Sequence, residues 1–304
     1  MKNFLANIKN SCYMDSVLMV ILGNSDNEIF DEIISSNKSL ECKENHKNIQ
    51  IEINNIINFI NNDKKSSYNV KKLRKLFKEC NERYNFKNNF GKFNQEDSKE
   101  FLDFLLKVTS KNFKESVKIK KSSYYIRNMP KATIINNDIK KISTKIEKNS
   151  LIVDLKLDDN ENGLVDMNKY NFIIDHPFEI ELPQNEEDRT QDMLDYTHRV
   201  QTSKILKAKK GIVFQNLSEE KYNITPSEIF TLRNGKTFKL YGIVYFTGTD
   251  NHGHYTCVFE KDNVWYYSDD IRDKIEYIGN FDNLINYNKL NNIFPYLFFY
   301  KNLL

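Results

Sequence analysis

The residue best suited to nucleophilic chemistry is Cys12, which stands at the predicted start of a helix. Ser11 is a competent N-cap, residues 17–22 are all apolar, and Gly23 offers a natural helix stop. Unpaired N–H groups and the positive end of the helix dipole favour a thiolate at such a position. Taken alone, however, a cysteine beside an apolar run is more often a core residue than a catalytic one.

A cysteine nucleophile also needs an imidazole to move its proton and a further group to orient that imidazole. Among the five histidines, His254 stands out because it opens a predicted strand directly after a glycine-containing loop. The following strand returns to Asp269 and Asp270, so cross-strand register can place a carboxylate beside His254. An Asp-Asp pair is otherwise commonly an ordinary turn. We expect surface positions for His46, His176 and His198.

The chain before residue 110 is predicted to be helical. After the Cys12 helix, apolar residues at helical spacing predict helices over 48–60, over 70–77 and from about 94 to 106. The first turns of the last helix contain Glu96, Asp97 and Glu100, where the helix dipole favours negative charge.

The last third of the chain has a β pattern. Branched and aromatic residues predict strands over 212–214, 238–246, 254–260, 264–268 and 296–300, with a turn at 261–263. Helices first and strands last indicate an α+β fold, in which a helical lobe packs against an antiparallel sheet.

Two segments of opposite charge separate these halves. Residues 111–150 contain ten Lys and one Arg against three acids, whereas residues 151–198 contain thirteen acids against three basic residues. Short β-branched patches predict strands at 132–135, 151–153 and 172–174, and residues 191–207 resemble a helix. The segment is either a strand-rich insertion with an acidic side, or a set of solvated faces and loops.

Composition restricts the class of protein. A chain of 304 residues and 36.1 kDa can bury a large core as one domain or two, and a formal charge of +3 gives no overall argument for nucleic acid or membrane binding. Four cysteines without a Cys-x-x-Cys pair are expected to be free thiols in a reducing compartment. No secretory signal or membrane span is evident, so we expect a soluble intracellular protein.

Several motifs, in order along the chain, resemble those of the ubiquitin-specific proteases, a family of papain-like deubiquitinases. Residues 7–16 (Asn-Ile-Lys-Asn-Ser-Cys-Tyr-Met-Asp-Ser) resemble the cysteine box of the family, and residues 95–102 resemble its Gln-Gln-Asp-Ala-x-Glu-Phe-Leu helix. Residues 253–256 and 265–270 resemble the histidine box, and residues 295–300 resemble the last strand. Order and spacing over nearly the whole chain make the resemblance specific.

The resemblance implies a set of catalytic roles. Cys12 would be the nucleophile, His254 the general base and acid, and Asp269 the orienting carboxylate, with Asp270 as an accessory. Asn7 matches the asparagine of the oxyanion hole, where loss of one donor typically lowers kcat by about 10²–10³-fold.

The resemblance also implies how substrate binds. Asp97 and Glu100 match acids that hold the basic C-terminal tail of ubiquitin, and His252, Gly253 and Tyr255 would line the narrow channel for its terminal Gly-Gly. The expected reaction is hydrolysis of the isopeptide or peptide bond after the C-terminal glycine of ubiquitin.

The sequence departs from the family pattern at several places. Lys9 replaces the usual glycine, Asp15 replaces asparagine, and Ser268 replaces phenylalanine. A lysine near the cleft could crowd it or favour the thiolate further. The family's zinc ribbon needs two Cys-x-x-Cys pairs, which this chain lacks, so we expect no metal, no cofactor and reduced fingers. The acids of residues 151–198 could instead meet a basic face of ubiquitin.

We therefore expect one catalytic domain over 1–304, with a helical thumb at 1–110, a fingers-like insertion at 111–207 and a β-rich palm at 208–304. Ubiquitin and ubiquitinated proteins are the expected partners of a cytoplasmic or nuclear monomer, acting in a host cell if the gene is viral, without nucleic acid or membrane. The alternatives are a protease for a ubiquitin-like modifier or a viral polyprotein, and a pseudoenzyme that only binds ubiquitin. A nucleic-acid binder using the basic residues 111–150 is a further alternative, disfavoured because few aromatics are interleaved.

Overall fold

The structure is a computed structural model of the 304-residue chain. It describes residues 3–35, 42, 45–62, 67–84, 90, 94–110, 117–126, 139–149, 151–155, 164–166, 176–181, 198–216, 223–232, 234–249, 252–272, 275–291 and 293–303. The strands predicted at 132–135 and 172–174 lie outside these residues.

The helices predicted in the first third of the chain are confirmed. The described helices are α1 (Cys12–Gly23), α2 (Glu28–Ser35), α3 (His46–Ile60), α4 (Lys71–Tyr84), α5 (Ser98–Thr109) and α6 (Phe281–Asn291). No helix in the described part of the chain is both long enough and apolar enough to cross a bilayer.

The strands fall mainly in the second half of the chain. In order they are β1 (Phe4–Leu5), β2 (Ser67–Tyr68), β3 (Val117–Ile126), β4 (Ile139–Asn149), β5 (Ile152–Leu155), β6 (Leu164–Asp166), β7 (His176–Glu181), β8 (His198–Ala208), β9 (Ile212–Asn216), β10 (Asn223–Thr225), β11 (Ile229–Thr231), β12 (Thr237–Thr249), β13 (His252–Lys261), β14 (Val264–Ser268), β15 (Ile275–Gly279) and β16 (Pro295–Leu303). They confirm the strands predicted from residue 211 onward.

The largest sheet has eight strands, in the order β15-β14-β13-β12-β16-β9-β5, with β11 also paired to β12. Its pairs are antiparallel apart from β5 with β9. The order β4-β3-β8-β7 forms a separate antiparallel sheet, and two short parallel pairs join β1 to β2 and β6 to β10. The α+β architecture expected from the sequence is confirmed.

Helix α1 lies between the other helices and the large sheet, and it is buried on every side. All of its residues are buried, as expected for a helix that is apolar around most of its circumference. It packs on β12 and β13 and on helices α3 and α5. Gly242 permits the close approach, because a Cβ there would lie 2.3 Å from Cγ1 of Val20. The helix that begins with Cys12 is therefore fixed against the sheet.

The two faces of the large sheet bury separate apolar clusters. Successive side chains of a strand point to opposite faces. On β12, Val244 joins the cluster that contains α1 and its neighbouring helices, whereas Ile243 and Tyr245 join the cluster on the other face. The helical lobe thus rests on one face of a sheet that is covered on both.

The helix predicted over 191–207 is wrong for its described part. Residues 198–208 form strand β8, which pairs antiparallel with β3 on one side and β7 on the other. Pairing on both sides satisfies the backbone of this segment. The β-branched residues Val200, Thr202 and Ile205 suit a pleated surface, so tertiary pairing overrides a weak helical pattern.

Two expectations about single residues are also wrong. Cys42 and Cys80 form a disulfide with their Cα atoms 5.7 Å apart, so only Cys12 and Cys257 are free. The two partners lie 38 residues apart in the sequence, and their pairing depends on the fold that brings them together. His46 is buried rather than at the surface, and its Nδ1 lies 3.2 Å from the carbonyl oxygen of Val108.

Candidate active site

Cys12 is the first residue of α1 and is 3% exposed. Ser11 occupies the N-cap position, but its side chain does not cap the helix as expected. Its hydroxyl instead accepts a hydrogen bond from the Ile8 N–H at 2.8 Å and donates to Oδ2 of Asp15 at 2.5 Å. The Ser11 carbonyl oxygen accepts from the N–H groups of Met14 and Asp15, at 2.8 and 2.9 Å, so the N–H groups of Cys12 and Tyr13 are the ones that could meet another acceptor at the position of the sulfur.

His254 connects the nucleophile to a carboxylate. Its Nε2 lies 2.8 Å from Oδ1 of Asp269. The imidazole lines the same cleft as Cys12, which contributes to raising its pKa. Asp269 is held in turn, because the same Oδ1 accepts from the Ile271 N–H at 3.1 Å and its Oδ2 lies 3.2 Å from Nε of Arg272. The three side chains form a Cys-His-Asp arrangement.

The charge state of His254 follows from these contacts. Burial disfavours the imidazolium, but the hydrogen bonds to Asp269 and Cys12 and the charge of Asp270 outweigh it and raise the pKa of His254 to about 10. Asp269 shows the reciprocal effect. Burial acts against its charge, but hydrogen bonds from His254 and Ile271 lower the pKa of Asp269. The imidazole is thus protonated at neutral pH and lies beside both the carboxylate and the sulfur.

Asn7 is fastened to Asp270 by two hydrogen bonds. Its backbone N–H donates to the Asp270 carbonyl at 3.0 Å, and its Nδ2 donates to Oδ2 of Asp270 at 2.8 Å. Asp270 also faces the imidazole, with Oδ1 3.7 Å from Nε2 of His254. An amide has two N–H groups, so Asn7 keeps one for a substrate oxygen.

The loop between Asn7 and Cys12 is shaped by the backbone and by a buried arginine. Lys9 and Asn10 have φ values of 46° and 62°, in the left-handed region where glycine is favoured. Arg74, from α4, is 2% exposed and donates to the carbonyl oxygens of Ile8 and Lys9. The Lys9 side chain is exposed and does not line the cleft, so it does not crowd the cleft.

These residues share one open cleft. A cleft of about 540 Å³ is lined by Cys12, His254 and Asp270 together with Asn7 and Gly253. A nucleophile, a protonated imidazole and an amide donor at one concave site are the parts that acyl transfer requires.

Comparison with known proteins decides the family. The profile of the family described as "Ubiquitin carboxyl-terminal hydrolase" matches residues 4–300. The chain belongs to this family. It is a deubiquitinase of the cysteine peptidase class. A comparison with curated proteins finds no match.

Solved structures agree on the fold. The chain is similar to a structure of the SAGA DUB module of Ubp8, Sgf11, Sus1 and Sgf73 bound to monoubiquitin, with a TM-score of 0.61 and 15% identity over 99% of this chain and 69% of that one. A structure of the same module bound to ubiquitin aldehyde has a TM-score of 0.59, again with 15% identity over 99% of this chain and 69% of that one. At this identity the likeness confirms the papain-like fold of the ubiquitin-specific proteases.

In the deubiquitinase, two hydrogen bonds join the segment before helix α5 to strand β13 next to the cleft. Gln95 Nε2 donates to the Gly253 carbonyl at 2.6 Å, and its Oε1 accepts from the Gly253 N–H at 3.4 Å. A Cβ at Gly253 would lie 2.1 Å from Cε2 of Phe246, so glycine is required there. His252 begins β13, and its predicted contact with the substrate tail stays a prediction.

Asp97 has a different immediate role from the one predicted. Its Oδ1 caps α5 by accepting from the Glu100 N–H at 2.9 Å, and its Oδ2 accepts from Tyr296 at 2.5 Å and Tyr255 at 3.4 Å. Burial of the two phenols and the charge of Asp97 raise both of their pKa values. The carboxylate is thus bound on both oxygens within the deubiquitinase.

Two further acids, Glu96 and Glu100, lie beside Asp97 at the start of α5. Burial raises the pKa of Glu96, with smaller contributions from Glu100 and Asp97. Glu100 is exposed. Of the two acids predicted to bind the tail, Glu100 is thus exposed, and the neighbouring Glu96 is half-buried.

Metal binding does not explain the carboxylates at the cleft. Ligand atoms of His254, Asp269 and Asp270 lie within 4.8 Å of one another, close enough in principle for an ion. Each is already used in a hydrogen bond, between His254 and Asp269 and between Asp270 and Asn7. We assign the group to catalysis.

Sequence reasoning missed several residues of this site. Gln95, Arg74 and Tyr296 act through contacts with residues far away in the chain, and their residue types give no signal of it. Asp15 did give one, because a carboxylate one helical turn after Cys12, in an otherwise apolar helix, is unexpected.

Proposed function

We propose that the deubiquitinase acts through Cys12 as nucleophile, His254 as proton carrier, Asp269 as the orienting group and Asn7 as an oxyanion donor. The observation that supports these roles is one imidazole that is hydrogen-bonded to Asp269 and lines the same cleft as Cys12. Because burial raises the pKa of Cys257 well above its usual value, the other free thiol stays protonated and unreactive.

Acylation follows from this geometry. The sulfur of Cys12 attacks the carbonyl carbon of the last glycine of ubiquitin, and the carbonyl oxygen becomes an oxyanion. Asn7 Nδ2 and the first N–H groups of α1 stabilise that charge. As the C–N bond breaks, His254 gives its proton to the departing lysine amine, leaving a thioester on Cys12.

Deacylation uses the same groups in reverse. His254, now neutral, takes a proton from water while the water oxygen attacks the thioester carbon. The second oxyanion is held by the same donors, and the C–S bond then breaks. Ubiquitin leaves as a carboxylic acid that releases its remaining proton to water, and the freed sulfur of Cys12 lies beside a protonated His254, which restores the starting state.

The tail of ubiquitin reaches Cys12 between α5 and β13 in this proposal. Gln95 fixes the Gly253 backbone at the channel, at a position where a side chain would clash with Phe246. The acids Glu96 and Glu100 then meet the basic residues of the tail, while Asp97 holds the start of α5 and the two tyrosines in place. Tyr255, which is held by its hydrogen bond to Asp97, lines the channel in this proposal.

Ubiquitin and ubiquitinated proteins are the partners we propose. The similar Ubp8 structures contain monoubiquitin and ubiquitin aldehyde. Those structures are multi-subunit modules, whereas we propose that this chain acts as a monomer, in the cytoplasm or nucleus, without nucleic acid. The near balance of charge, with a formal +3 over 304 residues, supports the last point.

A ubiquitin carrying a C-terminal electrophile tests the nucleophile. Native protein should form one covalent adduct, the Cys12→Ala variant none, and the Cys257→Ala variant the native amount, each measured by intact mass. An adduct that survives Cys12→Ala, or one lost in Cys257→Ala, contradicts the assignment. The same reagent built on a ubiquitin-like modifier tests the alternative substrate.

A further inference from the structure

A buried carboxyl group lies directly behind the nucleophile. Asp15 is one helical turn after Cys12 in α1 and is 1% exposed. Its Oδ2 accepts the proton of the Ser11 hydroxyl at 2.5 Å, and that hydroxyl accepts in turn from the Ile8 N–H at 2.8 Å. One oxygen of Asp15 is thus fixed to the loop that carries Asn7.

The other side of Asp15 faces Asp270. No hydrogen-bond donor from the described residues reaches Oδ1 of Asp15 or Oδ1 of Asp270, although both atoms are buried. Each carboxyl group shifts the pKa of the other through a hydrogen bond between them, and the charge of Asp270 also acts on Asp15. Two ionised carboxylates in this arrangement would repel strongly, so a proton on one of them supplies the missing donor.

The surroundings decide which group holds that proton. Asp270 accepts from Asn7 at 2.8 Å and lies 3.7 Å from Nε2 of the protonated His254. Asp15 has no described cation against its carboxyl group. Burial, followed by the charge of Asp270, raises the pKa of Asp15 well above its usual value. Burial raises the pKa of Asp270 to about 6, and the hydrogen bond from Asp15 opposes that rise.

Other titratable groups around the pair do not change this order. Those that interact with Asp15 or Asp270 are Cys12, Tyr13, His254, Cys257 and Asp269. Burial keeps Tyr13 and Cys257 protonated and uncharged, and Asp269 is neutralised by His254 and Arg272. At neutral pH the pair therefore has one negative charge, on Asp270.

We propose that Asp15 is a positioning residue whose neutral carboxylic acid donates a hydrogen bond to Asp270, so that Asp270 holds the amide of Asn7 towards the oxyanion. This inference rests on the proposed role of Asn7. Asp270 would accept the Asp15 hydroxyl on Oδ1 and accepts the Asn7 amide on Oδ2. The first hydrogen bond therefore fixes the orientation of the carboxylate that holds the amide. Asp15 itself touches no substrate.

This arrangement predicts which kinetic parameters depend on Asp15. Stabilisation of an oxyanion lowers the barrier of the chemical step, so loss of the Asp15 donor should lower kcat and leave KM unchanged. Alkylation of Cys12 by iodoacetamide forms no oxyanion, and its rate should not change. A residue needed only for packing would not separate these measurements.

Two substitutions of similar size form the test, with ubiquitin aminomethylcoumarin as substrate. Asp15→Asn replaces the O–H donor by an N–H donor and should keep kcat within about threefold of the native value. Asp15→Val has no donor and should lose about 10–100-fold in kcat, part of the loss typical of one missing oxyanion donor. Equal loss in both variants, or none in Asp15→Val, overturns the proposal.

The pH profile gives a second readout that needs only the soluble Asp15→Asn variant. Loss of the shared proton at alkaline pH should lower native kcat, and Asp15→Asn should keep its activity to higher pH. Identical alkaline profiles overturn the proposal. Infrared difference spectra should show the carbonyl band of a neutral carboxyl group at pH 8 in native protein and not in Asp15→Asn. Absence of this band overturns the inference even if turnover of ubiquitin fails.

Discussion

Asp269 and Asp270 are adjacent in the chain, yet their carboxyl groups lie in opposite electrostatic surroundings. Asp269 contacts His254 and Arg272, and these contacts outweigh burial and lower its pKa. Asp270 faces inward to Asp15, and burial raises its pKa to about 6. Both residues are 8% exposed, so exposure does not separate them. The charges around each carboxyl group decide its role.

The difference also separates two tasks. On the side of Asp269, charge is paired in order to hold an imidazolium beside the sulfur. On the side of Asp270, a single charge is shared by two carboxyl groups in order to hold an amide. Proton transfer and oxyanion binding are thus served by adjacent residues that titrate in opposite directions.

Removal of Asp269 should have the largest effect. Asp269→Ala should lower kcat by about 10³–10⁴-fold, since an unoriented imidazole is the known consequence of losing the triad acid. The pKa of His254 should fall from about 10 towards its usual value, because the hydrogen bond to Asp269 is the largest contribution that raises it. Steady-state kinetics and an NMR titration of His254 measure both.

Asp270→Ala is the matched variant for this test. It should lower kcat by about 10²–10³-fold, as expected for a damaged oxyanion hole, with a smaller fall in the pKa of His254. An equal fall in that pKa in both variants would show that the two carboxylates share one task.

Acid should affect the side of Asp270 first. Below about pH 6 the Asp270 carboxylate gains a proton and no longer holds Asn7 by charge, so kcat should decline by up to about tenfold per pH unit. His254 remains protonated and Asp269 remains ionised across this range. The kcat profile between pH 4 and pH 8 measures the effect, and Asp270→Asn should lack this decline. A decline that persists in Asp270→Asn would assign it to another group.

The smallest expected effect is on stability. Groups whose pKa is raised by folding stabilise the folded state below their unfolded pKa of about 3.9, and this contribution is lost as the pH rises through the folded value. The Asp15 and Asp270 pair is of this kind, whereas Asp269 is of the opposite kind.

Asp15→Asn therefore should have a larger free energy of unfolding than native protein at pH 8, by on the order of 1 kcal/mol, and the difference should be smaller at pH 5. Urea unfolding at the two pH values measures this. A stability difference that is the same at both would mean that the pair does not share a proton.

The helices, the strands and the candidate catalytic residues could be predicted from the sequence because each leaves a local pattern or a motif. The apolar run after Cys12 predicted α1, and alternating residues predicted β12 to β14. The roles of individual residues remain predictions, although the structure brings Cys12, His254 and Asn7 to one cleft, with Asp269 hydrogen-bonded to His254.

The features that sequence reasoning missed depend on distant partners. The binding of the substrate tail by Asp97 stays a prediction, and its contacts with Tyr255 and Tyr296, from strands far along the chain, were not predicted. The disulfide of Cys42 and Cys80 and the pairing of β8 are likewise set by tertiary contact. The sequence also could not predict a protonated carboxyl group at Asp15, because that state depends on burial and on the charge of Asp270.

The link between Asn7 and Asp270 spans 263 residues, and this separation has a consequence for biosynthesis. Asn7 and Cys12 are translated long before the groups that would activate the cysteine and hold its oxyanion donor. At about 5–20 residues per second, the interval between the two is roughly ten to fifty seconds. During that time the nascent chain has the cysteine but an incomplete site, so hydrolytic activity cannot begin before Asp270 has been translated.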